Sequence, residues 1–582
     1  MFLSDCSLNP TEHINNLLNQ GRYLEARTLT TRQSANSSEL RIKQLHALAL
    51  SKSGTPQAAV EFFEPIYHEH PEDAETAGIM GGIYKELFRQ TRQQSFAILS
   101  RDAYQNNFTI TRNYYTGINA ATMSAIAGKF QRGRELAQEV IALLPEQPAD
   151  FWELVTKAEA VLLNKDPRQA VSLYYQAHQL AGPDWGKLNI VYNQLWMLNH
   201  YLLVPAEILK LYSPPTVAVL VGHMIDSPTR AVPRFPASVE GKVQEELNAV
   251  IKASNIKIGY TSLACGSDIM FAEAVLASGG EINLYVPFRQ TDFIETSVRF
   301  AGESWVQRFH QLADHHSVHF LTREGYLGND ELFSFHGRIL FGLATLRGKL
   351  LHAEPHLVTI LSERDRTLKE GGTRDLLKLW PFPKHTHHID PSKWLPLAPA
   401  QKESAPAETV PGGQPNRFVA YMVTLSFSGP IMLEVTHAAG KMQEETLQEL
   451  IALELEPDRV RAGFTSSHRA IRFAKDLVQL IHQRSKQSGY RIGLHAGPVT
   501  IQHVNGKKMM TGDHATLLNK IYDLTIAGSI CASETFAASL ALDAGTYGFV
   551  QTGQVHLGEE LGDHNIYSIE WTGSEVSQHV RR

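Results

Sequence analysis

The chain is poor in the features that assign a protein to a class at a glance. Its 582 residues hold only three cysteines, Cys6, Cys265 and Cys531, far apart and odd in number. That excludes a disulfide framework and a CxxC metal site, and it fits a reducing cytosol. Positive charge is not in excess: 54 Lys and Arg stand against 60 Asp and Glu, a net charge of −6. Without a basic block, binding to a nucleic-acid backbone is not the main business of the chain, because that needs clustered cations to displace counter-ions. Long apolar runs are missing as well. The most apolar stretch, TVAVLVGHMI at 216–225, is about half the ~20 residues that a membrane span needs. It reads as a buried strand, and no membrane partner is expected. The opening MFLSDCSLNPTEHI has neither a basic n-region nor an apolar core, so no signal peptide is read and a cytoplasmic protein is expected.

What is present is a chain too long for one hydrophobic core, with an ordinary 43% hydrophobic and 20% charged composition. Several domains are the natural arrangement. Residues 10–205, in a first domain expected over 1–211, are helical in pattern, with a recurring small/large code. Ala47 and Leu50 fall on one helix, Ala59 and Phe63 on the next, and Pro71 closes that unit. Ala121, Gly133, Ala137 and Pro145 repeat the arrangement, and Ala158, Ala170, Tyr174 and Ala177 offer it again. Small residues at matching offsets let paired helices approach closely. With a period of ~34 residues, the code resembles tetratricopeptide repeats. The resemblance implies an extended surface that holds a protein partner.

Residues 212–395 change character. Apolar strands are expected at 216–221, 256–260, 282–286 and 357–361, with helices at 238–254, 267–278, 293–315 and 331–351. Strands alternating with helices predict a mostly parallel, doubly wound sheet. In such a sheet, ligands bind where strands end and helices begin. Three such junctions carry suitable residues. VGHMID and the following TRAVPRFP place Gly222, His223, Asp226, Arg230 and Arg234 after the first strand. ACGSDIMFAEA places Gly266 and Asp268 at the start of a helix. KEGGTRD places Glu370, Gly371, Gly372 and Thr373 before another, where free N–H groups and the helix dipole favour an anion.

In this order on successive junctions, the stretches resemble the SLOG superfamily, which includes the lonely-guy phosphoribohydrolases and nucleotide-sensing modules of bacterial conflict systems. The resemblance implies a Rossmann-like fold that binds a nucleotide or a nucleotide-derived signal. The resemblance is carried over to Gly222, Gly266, Asp268, Gly371, Gly372 and Thr373; with His223, Arg234 and Glu370 from the same stretches, these are the ligand-binding candidates. Hydrolytic members carry a fuller PGG-type loop and a Glu on the following helix. Here Glu370 precedes the glycines and Asp375 stands on the helix, so sensing is favoured over hydrolysis.

Residues 396–416, rich in Pro, Ala and Gly, read as a flexible linker. Residues 417–572 return to mixed α/β, and 573–582 form a tail. RFVAYMVTLSFSG at 417–429, DRVRAGFTSSHRAIRFAKDLVQLI at 458–481, RIGLHAGPVT at 491–500, TGDHATLLNKIYDLTIAGSICASETF at 511–536 and GQVHLGEELGDHNIYSI at 553–569 line up, in order, with a class III nucleotide cyclase domain. RIGLHAGPVT is read as a strand running into a Gly/Pro turn. The resemblance implies an α/β, ferredoxin-like fold, so the whole chain is expected to be multidomain: an all-α repeat domain, an α/β Rossmann-like domain and this one.

In those enzymes two carboxylates hold two metal ions that activate the ribose hydroxyl and neutralise the triphosphate. Ser426 occupies the slot of the first carboxylate, where a neutral hydroxyl cannot replace it. Asp458 keeps the second, beside Arg459. The Asn and Arg that orient ribose and stabilise the transition state are matched by Thr516 and Lys520, and Lys lacks the bidentate fork. If the domain were active, Asp458, Thr516 and Lys520 would be its catalytic residues and Mg2+ or Mn2+ its cofactor, with Asp458 the one weak metal ligand. The expectation is a degenerate cyclase fold, acting as a dimerisation or regulatory module of a homo-oligomeric nucleotide sensor. The alternatives are an active cyclase, or half of one, and a SLOG-type hydrolase. His495 and His514 are read as satisfied structural histidines. KHTHHID, with His385, His387 and His388, is read as an exposed strand or loop.

Overall fold

The computed structural model describes residues 10–34, 38–326, 328, 330–364, 376–396, 417–428, 432–445, 449–484, 489–543 and 547–571. They form two compact units, one reaching to Pro214 and including 547–571, the other running from Pro215 to 543.

The first unit is a helical array. Its helices are α1 Pro10–Asn19, α2 Tyr23–Ser34, α3 Leu40–Lys52, α4 Pro56–Glu69, α5 Ala74–Thr91, α6 Gln94–Thr111, α7 Tyr114–Ile126, α8 Phe130–Leu143, α9 Phe151–Leu163, α10 Pro167–Ala181, α11 Trp185–Leu198 and α12 Ala206–Tyr212. Aspartates start several of them. Asp73, Asp150, Asp166 and Asp184 each accept a backbone N–H of the following turn, which satisfies a donor that the helix cannot. The small residues read from the sequence lie between helices: Ala47, Ala59, Ala121, Ala137, Ala158, Ala170 and Ala177 are all fully buried. The array is a set of tetratricopeptide-like helical repeats.

The second unit opens with β1 Thr216–Gly222, α13 Glu240–Ala253, β2 Ile256–Thr261, α14 Ser267–Ala277, β3 Glu281–Val286, α15 Gln290–Ser297, α16 Glu303–His315, β4 Val318–Phe320, α17 Glu331–Leu350, β5 His356–Ile360 and β6 Thr386–Ile389. Every pairing in this sheet is parallel, in the order β4-β3-β2-β1-β5-β6. The expected strands are present, with two additions, β4 and β6. The helix expected over 293–315 is two helices, because Gly302 has a φ of +111° and breaks the run.

The same unit continues with β7 Arg417–Phe427, α18 Met432–Glu445, β8 Leu450–Leu455, β9 Val460–Phe464, α19 Ser467–Arg484, β10 Tyr490–Val504, β11 Lys507–Thr511, α20 Asp513–Asp523, β12 Ser529–Ser533 and α21 Glu534–Ala541. Its sheet runs β12-β10-β7-β9-β8, with β11 added to β10. β7 is antiparallel to both β9 and β10, and β12 is parallel to β10. One expectation is corrected here. Gly497–Pro498 does not turn: β10 runs through to Val504, and Pro498 pairs with Val419. β12 has already ended at this level of β10, so the missing proline N–H breaks no ladder on that side.

Helix α17 is shared by the two sheets. It packs on β1, β2 and β3 on one side and on α21 on the other. Gly342 of α17 lies so close to α21 that a Cβ there would sit 2.1 Å from the Ala538 carbonyl oxygen. Arg338 pairs with Asp543 at 2.7 Å, Tyr285 donates to Glu534 at 3.0 Å, and Glu331 accepts the Val419 N–H at 2.7 Å. The last two strands, β13 Tyr547–His556 and β14 Asp563–Trp571, form an antiparallel hairpin within the first unit.

Candidate functional site

The strand order of the parallel sheet reverses at β1. The chain moves outward from β1 to β4 on one side and resumes at β5 on the other. At such a switch point the C-terminal ends of two neighbouring strands diverge and leave a crevice. Here that position lies beyond β1 and β5, and α14 starts beside it.

Two glycines build it. A Cβ on Gly222 would lie 2.4 Å from the Ser267 Cβ and Oγ and 3.2 Å from Ile360. Glycine therefore lets α14 dock directly on the strand end. Gly266 has a φ of +95°, and a Cβ there would meet the Ile225 nitrogen at 2.6 Å. Ser267 locks the junction, since its hydroxyl and its N–H both donate to the His223 carbonyl, at 2.7 and 3.2 Å. His223 is buried, and its N–H donates to Ile360 O across to β5 at 2.9 Å. On the far rim, Asp390 accepts the Glu363 N–H at 3.2 Å and holds the segment leaving β5.

Asp268 stands in the first turn of α14. It keeps a partly exposed surface, yet burial pushes its carboxyl up to about 7; the Ala264 N–H, bonded at 3.2 Å, and the Thr261 hydroxyl only partly offset this. A carboxyl that is half-protonated at neutral pH can donate or accept, unlike an ordinary aspartate. Cys265 beside it is buried, and burial pushes its thiol up to about 12, which makes it a poor nucleophile.

Of the candidates from the sequence, Gly222, His223, Gly266 and Asp268 come together at this strand-to-helix junction. Arg234 belongs to a different piece of local structure. Buried Asp226 accepts the Arg234 and Phe235 N–H groups at 2.7 and 2.8 Å and faces the Arg230 and Arg234 guanidinium groups at 3.3 and 3.9 Å, so the PRFP loop is clamped by a carboxylate. Glu370, Gly371, Gly372 and Thr373 lie outside the described residues. Ser267 was the residue missed; its signal is its place after a glycine at a strand-to-helix junction.

The residues expected from the sequence to form a cyclase site are engaged by other side chains of the protein. Ser426, at the end of β7, is buried and accepts the Tyr522 hydroxyl at 2.5 Å. Arg491 is its cross-strand partner on β10. The guanidinium groups of Arg459 and Arg491 lie 5.3 and 5.1 Å from the Tyr522 ring centre, a cation–π arrangement. Asp458 is exposed, and its carboxyl is held low by Arg459, 2.9 Å away. Arg459, which also faces Glu456 at 3.5 Å, therefore already occupies the Asp458 carboxylate, and Arg491 and the Tyr522 phenol stand beside it. These residues do not fit a divalent metal ion. Among the described residues no group of three or more His, Cys, Asp or Glu is arranged to hold one. Thr516 and Lys520 lie on α20, where the Thr516 hydroxyl bonds back to Gly512 O at 3.4 Å. Tyr522 and Arg491 carried no signal in the sequence, because their meeting depends on the register of β7 and β10.

The histidines named from the sequence have partners within the protein. His495 and His514 stack at 5.1 Å and share a 2.8 Å hydrogen bond, and Ser533 meets the other His495 nitrogen at 2.8 Å. His387 lies on β6, with a nitrogen 3.0 Å from His356, and His385 pairs with Glu354 at 2.9 Å.

Comparison with known proteins places one match on the array. Residues 22–124 match the family described as TPR-S, Tetratricopeptide Repeats-Sensor. A thermophilic TPR protein of Thermus thermophilus is similar at 18% identity over 32% of this chain and 98% of that one, with a TM-score of 0.28. The guanylate cyclase domain of RhGC from Catenaria anguillulae, solved with GTP, is similar at 14% identity over 27% of this chain and 98% of that one, with a TM-score of 0.23. The adenylyl cyclase CyaB from P. aeruginosa gives 14% identity, 28% and 97% coverage and a TM-score of 0.23. No curated protein matches. No helix among the described residues is long and apolar enough to cross a membrane.

Proposed function

We propose that the chain is a cytosolic signalling regulator that binds a nucleotide or nucleotide-derived signal in the crevice at the ends of β1 and β5. In this reading residues 212–395 are a Rossmann-like domain of SLOG type, and the sheet from β7 onward is a ferredoxin-like, class III cyclase-like domain without catalysis. The observation that carries it is the Gly222–Gly266–Ser267 junction. It brings the start of α14, the positive end of the helix dipole, against a parallel strand end at the switch point, an arrangement suited to a phosphate. The C-terminal sheet transmits or dimerises, and the array holds a protein partner. Titration of the full chain with a panel of nucleotides, including cyclic and ADP-ribose types, tests the reading. Binding that is lost on Gly222→Ala is expected; uniform absence of binding refutes it.

Asp268 supports a second reading. A partly exposed carboxyl near neutrality in such a crevice is suited to general acid–base work, so the site could cleave a nucleotide rather than only sense it. Free base or ribose phosphate released by the wild type and not by Asp268→Asn would establish that. An active cyclase is the reading least supported, given the Tyr522–Ser426 bond and the absence of a metal-binding set among the described residues.

A further inference from the structure

In stacked helical repeats the turn inside each helix pair falls on one edge of the array. In this chain the first three such turns are covered from within. Between α1 and α2, a Cβ on Gly553 of β13 would lie 2.1 Å from the Gly21 carbonyl oxygen. Between α3 and α4, a Cβ on Gly54 would lie 2.4 Å from the Ser568 Cβ of β14. At the end of α5, Glu570 is close enough to feel the charges of Glu86 and Arg89.

Among the described residues no such approach of the hairpin is seen at the next three turns, and a Cβ on Gly128, between α7 and α8, would meet nothing within 4 Å. Those between α7 and α8 and between α9 and α10, with the segment after α11, frame a cavity of about 310 Å3. Its apolar lining includes Phe130, Leu162, Leu163, Leu202 and Leu203. Phe130 is 42% exposed and Leu203 is 94% exposed. Arg134 and Lys165 stand in the same lining, and neither has a carboxylate partner among the described residues.

We propose that this open half of the turn edge is a docking site for a segment of a protein partner that presents one or two large apolar side chains flanked by carboxylates. The edge continues an interface that the chain already uses to receive an extended hairpin. The cavity is at the lower end of the ligand-pocket range, which suits side chains rather than a large cofactor. Two lone cations beside apolar surface complement an acidic, apolar segment. An anionic membrane surface is the poorer match, because lipid-binding patches gather about four to eight basic residues.

Selection of a displayed library of random twelve-residue peptides on the full chain tests this. Enriched peptides should combine Leu, Phe or Trp with Asp or Glu. A fluorescent copy of one should bind at least tenfold more weakly to the Arg134→Glu, Lys165→Glu double variant and to Leu203→Asp. All three changes are on the surface, and unchanged circular dichroism is expected. Hydrogen exchange should slow at 125–134 and 162–167 when the peptide binds. Absence of enrichment, enrichment without acidic residues, undiminished binding to both variants, protection elsewhere, or competition by phosphatidylserine vesicles overturns the proposal. None of these outcomes depends on whether the crevice binds a nucleotide.

Discussion

Replacing Asp268 with Asn should stabilise the protein at neutral pH. The carboxyl moves from its usual 3.8 to about 7 on folding. At about 1.4 kcal/mol per pKa unit this sets a ceiling of about 4 kcal/mol above pH 7. Asp268 is partly exposed, so water screens the effect, and about 2 kcal/mol is the expected gain. The sign follows from proton counting. The folded pKa lies above the unfolded one, so the native state binds more protons between about pH 4 and 7. Stability therefore falls as pH rises through that window and is level above it. Asn has no proton to lose, and its carbonyl can still accept the Ala264 N–H. Because the chain has several domains, hydrogen exchange of α14 peptides reports this better than global unfolding. After correction for intrinsic exchange, wild-type α14 should lose protection between pH 5 and pH 8 while Asp268→Asn holds it. A variant less protected than wild type at pH 8, or a wild type indifferent to pH, refutes the reasoning.

Gly222→Ala should destabilise the second unit by about 1–3 kcal/mol through overpacking against Ser267; thermal shift measures this. Incubation with ATP or GTP and Mn2+ should yield no cyclic nucleotide from wild type or from Ser426→Asp, because Tyr522, Arg459 and Arg491 remain in place; product from either would show the site to be open. Tyr522→Phe leaves the Ser426 hydroxyl without its donor and should cost about 1 kcal/mol, read from urea unfolding. Glu570, pushed up to about 7 first by burial and then by Glu86, follows the same sign as Asp268. Glu570→Gln should therefore slow hydrogen exchange across 547–571 at pH 8 and leave it little changed at pH 5.

The repeats and the parallel strands were legible for a physical reason. Strands buried on both faces read as continuous apolar runs, as in β1, and helices that touch must carry small residues at the contact, as Ala121 and Ala137 do. β4 has three residues and β6 is the histidine-bearing THHI; neither shows a strand period, and both exist because a neighbouring edge accepts them. The Gly–Pro pair in β10 looked like a turn because local chemistry favours one, whereas pairing with β7 overrides it. In the candidate site, Gly222, Gly266 and Asp268 were readable from motif and position. The Tyr522–Ser426–Arg491 cluster was not, since it joins residues about a hundred positions apart through sheet register. The bond between the last hairpin and the array was hidden for a similar reason: it rests on bare backbone at Gly54 and Gly553.

Helix α17 has a consequence for inheritance. A wall common to two rooms cannot be carried away with either one. Cutting the chain in its Pro-rich stretch would strip α21 from the Gly342 face on one fragment and bare the Ala538 face on the other. The two sheets therefore do not behave as cassettes that recombination can trade one at a time. A lineage that replaced the C-terminal sheet alone would have to redesign the surface of α17 in the same step.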